Sequence, residues 1–218
     1  MTKRTYLGGI GAVCAAIIVS AGLLAQDKEN PYGEMSPDQE AMMKAWKEYA
    51  TPGKEHAELA KKVGEWSLDL KMWHELGGEV QISQATSIIK PIMDGRYFLE
   101  TVTSEYMGRP FEGRSISGFD NLTKKYFTVW FDNMGTGLAT YTGTASGEGT
   151  IHYSVEMPNP QTGQYETGHA TDKLVSNDEY IFMMYRKAPN GEEFLTMEIT
   201  GTRKGAAKRG PTTSKKGY

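Results

Sequence analysis

Residues 66–73 read WSLDLKMW, and this stretch shows how the chain folds. Every second residue from Trp66 to Met72 is apolar, and the residues between them are polar. A period of two is typical of a β-strand that turns one face to a core and the other to water. The stretch therefore predicts a half-buried antiparallel strand.

The chain after this strand repeats the same kind of pattern. Short segments of strand-forming residues are separated by turn sequences such as LGG, MDG, SGEG and APNG, which favour tight connections. No helical period intervenes, so we predict a mainly β fold: a single antiparallel up-and-down barrel of about ten strands. The further strands are predicted at 79–89, 96–107, 110–119, 125–132, 137–146, 149–157, 165–175, 179–187 and 193–203.

One or two helices are predicted before the strands. Ser36 followed by Pro37 is a helix start, because serine caps the backbone N–H groups and proline suits the first helical position. A second helical pattern covers 52–63, carries His56 on its apolar stripe and ends at Gly64.

The two ends of the chain differ in composition from the middle. Residues 1–25 combine two early basic residues with an apolar stretch and small residues, which predicts a secretory signal peptide and a secreted or periplasmic protein. The alternative is an uncleaved N-terminal membrane anchor. We expect 26–35 to be a linker, 36–203 to be the folded domain and 204–218 to be a basic disordered tail.

Composition excludes several classes of function. Between residues 36 and 203, 24 Asp and Glu stand against 16 Lys and Arg, so nucleic acid is not an expected partner. Cys14, the single cysteine, lies in the predicted signal, and the four histidines lack metal-ligand spacing. We therefore predict no metal, no cofactor and no membrane span after signal cleavage. The oligomeric state stays open.

A second feature concerns the start of the barrel. Gly64-Glu65-Trp66 is a G-x-W pattern after a short helical segment, and it resembles the opening of lipocalin-like (calycin) barrels. In that group the tryptophan closes one end of the barrel and a basic residue of the last strand lies across it. The resemblance implies Trp66 and Arg203 as this structural closure, in which the guanidinium stacks on the indole.

Several longer motifs lie inside the predicted domain. They are TPGKEHAELAKKVGEW (51–66), GRYFLE (95–100), GRPFEGRSISGFDNLTKKY (108–126), WFDNMGTG (130–137) and TMEITGTRK (196–204). Together these motifs resemble the bacterial domain-of-unknown-function family 1579. The resemblance implies a lipocalin-like barrel and brings no catalytic mechanism with it.

Four residues outside the closure are candidates for contact with a ligand. His56 either packs on the helix stripe and hydrogen-bonds a strand, or ligates haem as a single histidine does in nitrobindin-like barrels. Arg114 either points inward to bind a ligand carboxylate or forms an outward salt bridge with Glu112. Tyr97 and Trp130 belong to the aromatic residues that can line a pocket or fill the core.

Asp132 is the fifth candidate, and it lies in the stretch VWFDNMGTG (129–137). A strand-like sequence follows the glycines, so the stretch predicts a hairpin loop and not a phosphate-binding loop. Asp132 can serve acid–base chemistry if Glu100 or Glu112 shares its lumen.

We expect no catalytic residue and take a small, mostly apolar ligand as the leading hypothesis, because ten strands can enclose a cavity. Three alternatives remain: a small-molecule hydrolase or isomerase that uses His56 with Asp132 or a lumenal carboxylate, a haem-binding barrel, and a structural or interaction module with a filled core.

Overall fold

The computed structural model describes residues 35–147 and 149–205. The predicted signal peptide, the predicted linker up to residue 34 and the tail from residue 206 lie outside the described residues. The elements are α1 (Pro37–Ala50), α2 (Lys54–Ala60), β1 (Gly64–Met72), β2 (Gln81–Ile92), β3 (Tyr97–Tyr106), β4 (Arg109–Asp120), β5 (Lys125–Asp132), β6 (Ala139–Ser146), β7 (Thr150–Asn159), β8 (Gln164–Ser176), β9 (Glu179–Lys187) and β10 (Glu193–Arg203).

The ten strands form one closed barrel in which each strand pairs antiparallel with its neighbours in the sequence. β1 closes the barrel by pairing with β10, and Trp66 lies opposite Arg203 in that register. The predicted up-and-down barrel is therefore confirmed. The bounds of the strands differ from the predicted ones by at most three residues, because the turn sequences mark where each strand must end.

α1 begins at the predicted signal, whereas α2 covers Lys54–Ala60 and is shorter at both ends than the predicted 52–63. The Ser36 hydroxyl accepts a hydrogen bond from the Gln39 N–H at 3.4 Å, and the Ser36 N–H donates to the Gln39 side chain at 2.9 Å. This is a reciprocal capping box. The last residue of α1 and the residue after it contact the barrel turns: Arg96 donates to the carbonyl of Ala50 at 3.1 Å, and Asn121 donates to that of Thr51 at 2.8 Å.

The inward face of each strand is set by the alternation of side chains. In β1, Trp66 and Leu68 are buried while Ser67 between them is exposed. In β3, Phe98 and Val102 are buried and mark the same inward phase. The core has two clusters, one built around Trp66 and one around Tyr153, and Leu59 of α2 packs against both. The short helix α2 therefore lies against the barrel interior.

The two ends of the barrel are different. β1 starts at the end that α2 contacts, which we call the closed end. Because successive strands are antiparallel, β5 also starts there and ends at the opposite end, which we call the mouth. The β5–β6 loop (133–138) lies at the mouth. Within the described residues, no helix is long and apolar enough to cross a membrane.

A candidate ligand cavity inside the barrel

The barrel encloses a cavity of about 510 Å³ that extends from α2 to the β5–β6 loop. Leu68, Val102, Tyr153 and Phe182 are typical of its mostly apolar wall. Met134 also lines the cavity and is 60% exposed, so the cavity reaches solvent at the mouth. The volume falls in the range of known small-molecule pockets, about 300–1,000 Å³.

Arg203 and Trp66 lie together at the closed end. The guanidinium lies 4.2 Å from the centroid of the Trp66 ring. It donates to the carbonyls of Val63 and Lys61 at 2.7 Å each and to that of Asn177 at 2.8 Å. Each of these carbonyls lies in a connecting segment without a strand partner, so the arginine ties the end of α2 to the β8–β9 turn.

Gly64 makes this arrangement possible. Its φ of 137° is a backbone conformation that residues with a side chain rarely adopt, and a Cβ atom there would meet the Arg203 guanidinium. Trp66 is fully buried, and its indole N–H donates to the carbonyl of Lys62 at 2.8 Å. The G-x-W pattern therefore has a physical reason at both of its fixed positions.

An ion pair lies on the floor of the cavity. The Lys62 ammonium donates to both carboxylate oxygens of Asp172, at 3.1 Å and 2.8 Å, and lies 3.8 Å from the centroid of the Tyr180 ring. Burial, with the charges of Glu100 and Asp172 as further causes, raises the pKa of the Tyr180 phenol well above its ordinary value. The phenol is therefore neutral, and Lys62 has its opposite charge within the protein.

A second polar group lines the wall between β2, β3 and β4. The Glu100 carboxylate accepts hydrogen bonds from the hydroxyls of Ser87 at 2.6 Å and Ser115 at 3.1 Å. Ser115 lies directly opposite Glu100 in the register of β3 and β4, and Ser87 lies diagonally across β2. Both serines are buried, so the pair holds the carboxylate in one place on the wall.

Trp130 and Asp132 lie at the mouth and both line the cavity. One Asp132 oxygen accepts from the Trp130 indole N–H at 2.9 Å, and the other accepts from the Met134 backbone N–H at 2.9 Å. The same carboxylate therefore orients the indole and caps the hairpin loop. Phe111 stacks on Trp130 with ring centroids 6.5 Å apart and planes 19° apart.

The glycine opposite this pair completes the mouth. Gly113 pairs with Asp132 in the register of β4 and β5, and a Cβ atom at Gly113 would overlap the six-membered ring of Trp130. The indole thus lies against bare backbone. Because no side chain separates them, Trp130 turns its ring along the wall of the cavity.

The chain matches known sequences over this whole barrel. A family model described as "Protein of unknown function (DUF1579)" matches residues 51–203. The chain belongs to this family. A comparison with curated proteins found no match. One similar solved structure is that of a redesigned β-barrel: it is 14% identical, the alignment covers 66% of this chain and 92% of that chain, and the TM-score is 0.35.

Two of the predicted ligand contacts lie on the outer face of this DUF1579 barrel. Arg114 is exposed, and its guanidinium pairs with Glu112 at 2.7 Å, which corrects the inward alternative. Tyr97 precedes the buried Phe98 and therefore has the outward phase, where its ring packs edge-on against Phe127 at 6.1 Å. A direct contact of either side chain with a lumenal ligand is inconsistent with these positions.

His56 is buried at the closed end and does not line the cavity. Its Nδ1 accepts from the Gly53 N–H at 3.1 Å, and its plane is edge-on to the Phe119 ring at 6.0 Å. Burial lowers the pKa of this imidazole. His56 therefore packs as a structural residue outside the lumen in which a haem would bind.

The pairs suggested for catalysis differ in their outcome. His56 lies at the closed end and Asp132 at the mouth, so this pair is not brought together. Glu112 has the outward phase of β4, whereas Glu100 and Asp132 both line the cavity and so share one lumen. In the described part of the chain, no group of three His, Cys, Asp or Glu side chains is placed to hold a metal ion. The cavity also contradicts the filled-core alternative.

Sequence reasoning overlooked Lys62, Asp172 and the serine pair around Glu100. Lys62 and Asp172 are 110 residues apart, and only the barrel register joins them. For Glu100 a signal was present: it lies two residues from the apolar Phe98 and two from Val102, so all three share one face of β3. An acid between two core residues of one strand is therefore a sign of a lumenal carboxylate.

Proposed function

We propose that this DUF1579 protein binds a small, mostly apolar ligand inside the barrel. The single observation that carries the proposal is the cavity of about 510 Å³, which has apolar walls and reaches solvent at the mouth. Apolar walls around a volume of this size gain dispersion contacts when a ligand of matching shape packs against them.

The site fits a ligand that enters through the mouth and packs its apolar body against the walls. Trp130 and Phe111 provide a flat aromatic surface at the entry. Leu59 of α2 and Lys62, which follows this helix, close the other end. Burial of an apolar ligand against such walls contributes about 25 cal/mol per Å² of surface removed from water. The signal-peptide pattern in residues 1–25 supports export, so we propose that the protein binds its ligand outside the cytoplasm.

The experiment is a titration with N-phenyl-1-naphthylamine, a neutral apolar probe that fluoresces in apolar surroundings. Two variants of neighbouring residues on β3 make a matched pair. Ser104 lines the cavity, so Ser104→Trp fills part of it. Thr103 has the outward phase and is exposed, so Thr103→Trp adds the same side chain on the outer surface.

We expect one saturable site in the wild type, retained in Thr103→Trp and weakened at least tenfold in Ser104→Trp. Circular dichroism checks that both variants keep the barrel. If the two variants bind the probe equally well, the probe sits on an exposed apolar surface and the lumenal site is refuted. No saturable binding to the wild type refutes it as well.

A further inference from the structure

The charged side chains of the cavity are not balanced. Among the described residues, its lining contains one ammonium, that of Lys62, and four carboxylates: Glu100, Glu105, Asp132 and Asp172. Three of the four have assigned roles inside the fold or lie at the rim. Asp172 neutralises Lys62, Asp132 holds the Trp130 indole, and Glu105 is exposed at the mouth end of β3.

Glu100 is the remaining carboxylate. Its hydrogen bonds come from two uncharged hydroxyls, those of Ser87 and Ser115. Within the described residues, no ammonium or guanidinium forms an ion pair with it. The carboxylate is the acceptor in both of these hydrogen bonds, so any further hydrogen-bond partner of Glu100 must be a donor.

The position of Glu100 suits a ligand with two distinct ends. Phe98 and Val102 flank it on the same face of β3, and Ile89 lies opposite it on β2. A molecule in this cavity therefore meets apolar walls along most of its surface and a single fixed acceptor at one point. Such a site orients a ligand by its one polar group.

The charge of that polar group follows from the surroundings. A ligand carboxylate would face Glu100 across an apolar space, where like charges repel more strongly than in water. Lys62 is the lining residue able to compensate it, but its ammonium is already bound by both oxygens of Asp172. A protonated amine instead brings the missing opposite charge and donates charge-assisted hydrogen bonds.

We propose that the lumenal ligand is an amphipathic amine, with its ammonium group at Glu100 and its apolar body along the barrel wall. This inference rests on the proposed binding of an apolar ligand in the cavity and adds the chemical class of the ligand. Ser87 and Ser115 are positioning residues, because they fix the two carboxylate oxygens and leave the ligand to be bound by the carboxylate itself.

The test compares three probes that share one apolar chain and differ in their end group: dodecylamine, dodecanol and dodecanoic acid. Each competes with N-phenyl-1-naphthylamine at about pH 7.5, where an alkylamine with a pKa of about 10.4 is protonated. All are used below the concentrations at which they form micelles. We expect the amine to displace the naphthyl probe at least tenfold more strongly than the alcohol, and the acid to be the weakest.

Two variants assign the preference to one carboxylate. In Glu100→Gln the charge is removed and the shape is kept, so we expect the advantage of dodecylamine over dodecanol to fall to within about threefold while the naphthyl probe still binds. Glu112→Gln removes a carboxylate from the outer face of β4, and we expect it to keep the wild-type preference.

The outcomes separate the inference from the function on which it rests. Binding of the naphthyl probe with equal affinities for the three end groups, or with preference for the acid, overturns the amine and leaves the apolar site. An amine preference that survives Glu100→Gln overturns the assigned carboxylate. If Glu100→Gln does not fold, the wild-type order of the three probes still decides whether the ligand class is right.

Discussion

Arg203 covers Trp66 and at the same time binds three backbone carbonyls at 2.7–2.8 Å. The planar guanidinium provides donors in several directions at once, which an ammonium on a flexible stem does not. The pairing of these two residues therefore fastens the first strand, the last strand and the end of α2 at a single point.

The first prediction tests this closure. Arg203→Lys keeps the charge but loses most of the hydrogen bonds to the carbonyls, so the free energy of unfolding should fall by about 2–4 kcal/mol. Urea unfolding followed by tryptophan fluorescence measures it. Arg114→Lys is the control, because Arg114 and Glu112 are half exposed and such pairs contribute about 0–1 kcal/mol. Equal losses in the two variants would contradict the closure.

The second prediction concerns pH and His56. Burial lowers the pKa of this imidazole in the folded state, so the unfolded state binds more protons as the pH falls through about 6.5. Stability should therefore be fully present above that pH and decline below it, until the folded-state pKa is reached. His56→Gln removes this part of the decline between about pH 8 and pH 5, as measured by urea unfolding.

The control for that experiment is His74→Gln. His74 is exposed on the β1–β2 loop, so its substitution should leave the difference in unfolding free energy between the two pH values unchanged. A His56→Gln variant with the same pH dependence as the wild type would show that the imidazole is solvated in the folded state.

The third prediction concerns Gly113 and the mouth. Gly113→Ala places a methyl group where the Trp130 ring lies, so the indole must move or the strands must separate. We expect a loss of about 1–3 kcal/mol in stability and weaker binding of N-phenyl-1-naphthylamine. Gly147→Ala is the control, since a Cβ atom there meets no other atom within 4 Å. Unchanged probe binding in Gly113→Ala would remove Trp130 from the site.

The fourth prediction uses Tyr141, a residue of β6 that lines the cavity. Burial raises the pKa of its phenol to about 12. The difference in ultraviolet absorbance between wild type and Tyr141→Phe should therefore show little phenolate near pH 10 and a rise near pH 12. Because the pKa is raised in the folded state, Tyr141 contributes to stability at pH values below the ordinary tyrosine pKa. This contribution is lost as the pH rises through about 12. A difference that titrates near 10 would indicate a wet, open cavity.

The strands and their connections follow directly from local patterns in the sequence. Tight turns need particular residues, and barrel strands need apolar residues at every second position. Both features therefore depend on a few neighbouring residues. The G-x-W pattern likewise pointed to Trp66 and Arg203, which lie in contact at the closed end.

The orientation of Arg114 could not be predicted from the sequence, because the two faces of β4 do not differ clearly in polarity. Its inward positions carry the small residues Gly113, Ser115 and Ser117, whereas Ile116 has the outward phase. An apolar residue outside and hydroxyls inside reverse the usual pattern. The inversion has a physical reason, since small polar side chains leave room for Trp130 and provide a hydrogen bond to Glu100.

The sequence predicts that Tyr97 lines a pocket or fills the core, because aromatic residues in strands usually point inward. In the structure, the rings of Tyr97 and Phe127 meet on the outer face, where Gly118 leaves space between their strands. The ion pair of Lys62 and Asp172 could not be predicted from local sequence patterns for a different reason. Long-range contacts depend on strand register and on where α2 packs, and neither is encoded in a short stretch of sequence.

Native mass spectrometry tests the occupied cavity most directly. The protein is purified without detergent from its own host, together with the Ser104→Trp and Thr103→Trp variants. We expect a single small-molecule adduct on the wild type and on Thr103→Trp, and the bare mass for Ser104→Trp. A bare mass for all three proteins, or an adduct that persists in Ser104→Trp, would contradict a ligand bound inside the barrel.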